Sequence, residues 1–247
     1  MPDGATLALM YGTDYVLSGG PQAEDDNNKQ PFRVVEWLKR TPPGVFLDYG
    51  CGAGELLVEA QKLGWTALGV ELNRDVAQAV AARTGAQVVS DVTELDAVPC
   101  ADVLHLGDVI EHLTGIEQQM PDILRLLKPG GLLLAQGPLE ANANLFTLAL
   151  KAARALRPQA RTEMAPYHVL LATGEGQRTL FRRFGLAELE YSLSEVAWPA
   201  PASLPLSDLR RPRTVAMFGL RRASQAVSAL RPHRWGNRYF YAGRKQN

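Results

Sequence analysis

The chain has 247 residues, of which 46% are hydrophobic and 21% charged, and its 26 basic residues balance its 26 acidic ones. A single domain of that length buries a substantial core, while the lack of repeats, of a bilayer-length apolar run and of a basic, apolar leader points to a cytoplasmic protein. Two cysteines, Cys51 and Cys100, form neither a disulfide framework nor a zinc-binding spacing, and both read as reduced thiols with packing roles.

In chain order, a polar segment with Tyr11, Tyr15 and the stretch 22–30 precedes a helix over residues 31–40. Phe32, Val35, Trp37 and Leu38 give that helix an apolar side, and it stops before Pro42-Pro43-Gly44. The run VFLDYGCGAGELL at residues 45–57 reads as a buried strand that breaks into a glycine turn and opens a helix. Gly50, Gly52 and Gly54 would each weaken a helix interior but suit a tight turn. Without side chains they let backbone N–H groups approach a ligand, and the helix N-terminus adds partial positive charge. Next come a helix over 55–63, a strand over 66–72, a helix over 74–83 closed by Gly85, and strands over 87–90 and 102–107. A helix over 116–127 and a strand over 131–136 follow. This alternation predicts an α/β fold with a doubly wound, mainly parallel sheet and ligands at the carboxyl ends of its strands. Beyond it lie helices over 143–156 and 177–184, a strand over 186–191, a proline-rich loop over 194–205 with Trp198, and a closing strand over 238–243 with Tyr239, Phe240 and Tyr241.

The glycine spacing alone does not choose a ligand. Asp48 does: a carboxylate two residues before the first glycine repels a pyrophosphate and suits a ligand end with an amino group and hydroxyls. Glu71, at the end of the run TALGVEL, is placed to accept both hydroxyls of a ribose. The pocket therefore fits a nucleoside joined to an amino acid.

Four ordered motifs, LDYGCGAG (47–54), GVEL (69–72), GDVIEHL (107–113) and LLKPGGLLL (126–134), resemble those of class I S-adenosylmethionine-dependent methyltransferases, most closely the ubiquinone-type O-methyltransferases and related enzymes of glycan and lipid biosynthesis. The resemblance implies one methyltransferase domain over 1–247 with a seven-stranded, mainly parallel Rossmann-like sheet and an antiparallel closing strand. Residues 1–30 would be a lid or arm with Tyr15 near substrate, or a frayed terminus. Residues 31–140 would form the cofactor core, and 141–247 the substrate-side helices, last strands and basic tail. It further implies that Asp48, Tyr49, Gly50, Cys51, Gly52 and Gly54 hold the methionine end of S-adenosylmethionine, Glu71 and Leu72 the ribose, and Asp91 and Val92 the adenine, with Asp108 also in the cofactor site. For Asp91 a helix N-cap is the competing role.

Because the sulfonium already activates the methyl group, holding a nucleophile in line supplies most of the rate, up to about 7 to 11 kcal/mol. A hydroxyl nucleophile must also lose its proton. His105 falls inside a strand and His233 in the basic tail, which leaves His112 and His168. His168, in APYHVLLAT, is read either as a general base or as a loop histidine bonded to backbone. If the motif after the fourth strand turns helical, Asp108, Glu111 and His112 share a face at i, i+3 and i+4. Some relatives use a Glu-x-x-Glu-His pattern with a later histidine to bind a divalent metal. Here the set is Asp108, Glu111, His112 and His168, with a first position one methylene shorter, so no metal is expected and Glu111 and His112 serve as catalytic-site wall instead. Glu140, Asn142 and Asn144 either face an acceptor or cap the following helix.

From residue 210 onward there are nine arginines, one lysine and no acidic residue. Such a segment suits an anionic partner, or is a solvated face balancing an acidic sheet domain. Within it, Val215, Phe218, Val227 and Leu230 suggest an amphipathic helix capable of docking peripherally on a membrane. The expected activity is O-methylation of a small molecule, glycan or lipid-linked acceptor, releasing S-adenosylhomocysteine. RNA methylation is one alternative, opposed by the lack of an aromatic-basic nucleic-acid module; a non-catalytic cofactor-binding scaffold or regulator is the other.

Overall fold

A computed structural model describes residues 30–95, 97–155, 168–196 and 203–246. The arm with Tyr11 and Tyr15, and Trp198, lie outside the described residues. The first half alternates strands and helices: α1 (Gln30–Arg40), β1 (Val45–Tyr49), α2 (Glu55–Lys62), β2 (Thr66–Val70), α3 (Arg74–Thr84), β3 (Gln87–Val89), β4 (Ala101–Gly107), α4 (Ile116–Leu124) and β5 (Leu127–Pro138). The second half adds α5 (Leu145–Ala155), α6 (Gly174–Arg183), β6 (Leu186–Ser194), α7 (Pro212–Leu230), the single turn α8 (Pro232–Trp235) and β7 (Arg238–Lys245).

One seven-stranded sheet runs β3-β2-β1-β4-β5-β7-β6. Its first five strands pair in parallel, whereas β7 inserts antiparallel between β5 and β6. The strand order reverses between β1 and β4, so their carboxyl ends open a crevice where α/β sheets bind ligands. Apolar residues alternate to both faces of the sheet. Phe46, Val103, Leu132, Leu134 and Phe240 pack with Val34, Leu38, Leu57, Val76 and Val80 of α1 to α3. Leu47, Leu104, Leu106, Leu133, Tyr239 and Tyr241 pack with Met120 and Ile123 of α4 and Phe181 of α6. Helix α1 also reaches the far edge, where the Arg33 guanidinium lies over Phe240 and bonds Glu190 and Ser192, and Trp37 donates to Glu190 at 2.9 Å.

Two elements differ from the sequence expectations. Helix α4 stops at Leu124 and β5 begins at Leu127, because the amides of Cys100 and Ala101 both bond the Leu126 carbonyl and Ala101 pairs with Leu127; sheet pairing outbids the helical pattern. The stretch after β4 forms a 3-10 turn at Ile110–His112 in place of an α-helical face, with Asp108 at φ 53. In α7 the fully buried side chains are Arg221, Ser224 and Ser228, while of the apolar set Val215, Phe218 and Val227 are half-buried and Leu230 is 83% exposed. Glu195, just beyond β6, is what Arg221 and Ser224 meet. It accepts from Arg221 Nη1 at 3.0 Å and from Ser224 Oγ at 2.9 Å, and the Arg221 guanidinium stacks 3.5 Å over the Phe146 ring. Both charged side chains are only 1% exposed, and removing one partner of such a buried pair costs about 3 to 5 kcal/mol.

Candidate functional site

The glycine turn is built as a cradle. Gly50, Gly52 and Gly54 all adopt positive φ, at 80°, 49° and 73°. A Cβ on Gly50 would stand 2.8 Å from Val109 Cγ2, and one on Gly54 2.5 Å from Val80 Cγ1, so backbone alone fits there. The amides of Gly50 and Cys51 converge on the Val70 carbonyl at 2.8 and 3.1 Å, which ties the turn to the end of β2. Helix α2 starts with no side-chain cap, so its first turn offers backbone donors and dipole charge to an anionic group.

Glu71 joins this cradle to the neighbouring loop. Its Oε2 accepts from the Gly52 amide at 3.1 Å and its Oε1 from the Asn73 amide at 3.0 Å. Burial pushes its carboxyl above the ordinary glutamate range, against the pull of these two bonds. Beside it Leu72 is 82% exposed, an apolar surface at the mouth of the crevice. Together the side-chain-free turn, the uncapped helix start and the carboxylate at the β2 end fit a ligand with a carboxylate at one end and a ribose beyond it.

Other predicted cofactor residues stand differently. Asp48 is buried, and its Oδ1 accepts from His105 Nδ1 at 2.6 Å across the β1–β4 register. The bond fixes the proton on Nδ1, so the lone pair of Nε2 is buried without a hydrogen-bond partner among the described residues. Tyr49 is half-buried against the core, and Cys51 is a buried free thiol whose Sγ would lie 2.9 Å from a Cβ on Gly69. Burial raises the Cys51 thiol, in keeping with a packing role. Asp91 caps the 3-10 turn Val92–Glu94, where its Oδ1 accepts from the Thr93 amide and hydroxyl at 2.8 Å and Glu94 closes the capping box. Both carboxylate oxygens of Asp108 are held by Arg238 Nη2, at 2.6 and 2.8 Å, and its charge bears on neighbouring Glu111.

Above the ends of β4 and β5 a second constellation assembles. The amides of Val169 and Leu170 bond the Glu111 carbonyl at 2.8 and 3.0 Å, and Ala141 donates to the Ala172 carbonyl at 3.1 Å, so this returning segment lies across the crevice. His168 is thereby brought to His112, with ring centroids 4.9 Å apart and edge-on. Its Nδ1 bonds Glu140 Oε1 at 2.7 Å. A carboxylate only accepts, so Nδ1 carries the proton and Nε2 presents a lone pair. The hydrogen bond to His168 holds the Glu140 carboxyl below the ordinary range. Glu111 is buried, and desolvation followed by the Asp108 charge raises its carboxyl well above normal. Its Oε1 has no hydrogen-bond partner among the described residues. One donor atom each from Glu111, His112 and His168 lies within 4.8 Å of the others. A carboxylate and two imidazoles at that spacing, one imidazole braced by an outer carboxylate, fit a divalent ion of the zinc or manganese type.

Sequence reasoning missed one residue, Arg238, and one bond, that of Glu140 to His168. Arg238 lies 130 positions from Asp108, and no local pattern marks it. Glu140 is an acid just past a strand's carboxyl end, a signal the sequence did carry, although its bond to His168 depends on the returning segment. Asn144 is a helix cap, accepting from the Thr147 amide at 3.1 Å. Asn142 is a latch, donating to the Gly236 carbonyl at 2.8 Å and accepting from the Gly174 amide at 2.9 Å.

Residues 27–191 match the family model described as a methyltransferase domain. A ubiquinone biosynthesis O-methyltransferase from Brucella anthropi is 33% identical over 116 residues, which cover 44% of this chain and 43% of that protein. The match thus spans less than half the length of that curated relative. Among solved structures, 1,6-didemethyltoxoflavin-N1-methyltransferase from Burkholderia thailandensis, with bound 1,6-didemethyltoxoflavin and S-adenosylhomocysteine, superposes with a TM-score of 0.62 at 14% identity, over 98% of this chain and 88% of that one. A SAM dependent methyltransferase from Archaeoglobus fulgidus gives 0.51 at 16% identity, over 87% and 94%. At these identities the two structures speak to the fold.

Proposed function

Because the chain belongs to the class I S-adenosylmethionine-dependent methyltransferases, we propose that it methylates a hydroxyl of a small molecule, glycan or lipid-linked acceptor, with His168 as general base. The observation that carries this reading is the Glu140–His168 bond of 2.7 Å, beside His112 and the buried Glu111 at the carboxyl ends of β4 and β5. When bound, S-adenosylmethionine supplies a methyl group activated by its sulfonium and leaves as S-adenosylhomocysteine.

The protein's part is positional and protonic. The uncapped start of α2 holds the carboxylate of the methionine end, and the glycine turn lets the backbone close on it. Glu71 orients the ribose through the remaining lone pairs of its two oxygens. Asp48, bonded to His105, fixes the junction of β1 and β4 beneath the ligand. At the acceptor end, His168 Nε2 takes the hydroxyl proton as the oxygen attacks, and Glu140 holds the imidazole in the tautomer that can do so and stabilises the imidazolium formed. The pairing of Asp108 with Arg238 aims the turn that carries Glu111 and His112 to the crevice. O-methylation also accords with the activity named for the Brucella relative.

A metal-assisted version is favoured by one observation, the orphaned Oε1 of buried Glu111 within the Glu111, His112 and His168 cluster. In that version His168 is a ligand, and Glu140 braces it from outside. The test is transfer of labelled methyl groups from S-adenosylmethionine into a fractionated cell extract, with and without chelator. Label in the lipid, glycan or small-metabolite pool is expected. Ribonuclease-sensitive label assigns the enzyme to RNA, and cofactor binding without label in any pool leaves a non-catalytic binder. Label lost with chelator and restored by added zinc or manganese selects the metal version.

A further inference from the structure

The helices beyond β5 carry a charge asymmetry that methyl transfer does not use. Helices α5, α7 and α8 contain no acidic residue between them, in a chain whose acids and bases are equal in number overall. They pack as one layer. The Phe146 amide donates to Ser224 Oγ at 3.1 Å, and Asn144 Nδ2 donates to the Trp235 carbonyl at 3.2 Å. The two acids that most closely precede α7 in the chain are both engaged: Glu195 is buried against Arg221, and Asp208 pairs with Arg211 at 3.2 Å.

Helix α7 buries polar side chains fully, Arg221, Ser224 and Ser228, with Val215, Phe218 and Val227 half-buried, while Ala216, Gly219, Ala223, Ala226 and Leu230 are all exposed, as is Arg222. Its 19 residues extend about 28 Å. At one end Leu206 is 86% and Leu209 53% exposed beside Arg210 and Arg213; at the other Leu230 is 83% exposed beside Arg231 and Arg234. Those four arginines are exposed and make no ion pair among the described residues.

We propose that this layer docks on an anionic lipid bilayer, with α7 lying in the interface plane. An apolar outward face bracketed by arginines is the pattern of a helix that beds its apolar side at the headgroup boundary while guanidiniums reach anionic headgroups. A second copy of the chain is the poorer occupant. A two-fold contact through the same face sets its arginines against each other, with no acidic residue on either helix to answer them. Nucleic acid is also poorer, since the exposed side chains beside the arginines include three leucines and a single ring, that of His233, where a run of bases needs several stacking surfaces. The chain reaches α5 within a few residues of Glu140, so docking would hold the acceptor side of the site next to the membrane.

The test uses the full-length chain without cofactor, so its result is independent of the methyl-transfer reading. Sedimentation with phosphatidylcholine vesicles is compared with and without phosphatidylglycerol. Binding to the anionic vesicles alone is expected, weakened roughly fivefold for each arginine removed in R210Q/R213Q and in R231Q/R234Q. L206Q/L230Q should weaken it as well while leaving the salt dependence unchanged. All six positions are exposed, so these variants keep the fold. Absence of binding, equal binding to neutral vesicles, or binding untouched by every variant overturns the proposal. A dimer in sedimentation velocity that L206Q/L230Q dissolves would give the face to a second copy and overturn it equally.

Discussion

At the residue scale, Glu71 carries two loads at once. It ties the glycine turn to the start of α3 through the Gly52 and Asn73 amides, and in the proposed reading it also holds the ribose. Burial raises its carboxyl, so the folded state prefers the protonated form more than the unfolded chain does. The sign follows: stability from this group is full below the ordinary glutamate value and is lost as pH rises through the raised one. Relative to Glu71→Gln, the wild type should therefore lose unfolding free energy across that interval and run parallel above it, as urea denaturation over a pH series would show. Curves parallel throughout would mean that the carboxyl is not raised. The same variant should bind S-adenosylmethionine about tenfold or more weakly, since a charged acceptor for sugar hydroxyls contributes roughly 1.5 to 3 kcal/mol.

At the element scale, the turn between β1 and α2 decides whether the cradle exists. Gly54→Ala forces a left-handed residue with a Cβ only 2.5 Å from Val80 Cγ1. The left-handed conformation alone costs about 1 to 2 kcal/mol, so chemical denaturation should show at least that loss, with cofactor affinity falling too. An unchanged midpoint would mean that the turn relaxes freely. This element was legible because glycines after a buried apolar run leave few structural options, and the same logic found α3, whose end Gly85 takes φ 70. The side chains that α7 buries were not legible, for an equally physical reason: Arg221 and Ser224 are buried because they meet Glu195, remote in sequence and itself buried. The boundary between α4 and β5 failed likewise, since pairing of Leu126 and Leu127 with β4 is a tertiary fact that a local pattern does not contain.

At the scale of the whole molecule, topology assembles the site from three distant parts of the chain. The turn after β4 supplies Glu111 and His112, the segment beyond β5 supplies Glu140 and then His168, and the closing strand supplies Arg238 to Asp108. Residue types alone singled out His168 and the Glu111-His112 pair; their meeting depends on the returning segment that bonds Glu111, and the pairing of Asp108 with Arg238 on how the last strand inserts between β5 and β6. The proposed cofactor half was therefore readable as contiguous motifs, and the proposed acceptor half only as scattered candidates. The most direct test of the account is the rate of labelled methyl transfer by wild type and His168→Ala, using the extract fraction that the wild type labels, with S-adenosylmethionine affinity measured on both. The account predicts a rate lower by about 100-fold or more, as expected on removal of a general base, with cofactor affinity unchanged. Equal rates would contradict it and remove His168 from the chemistry.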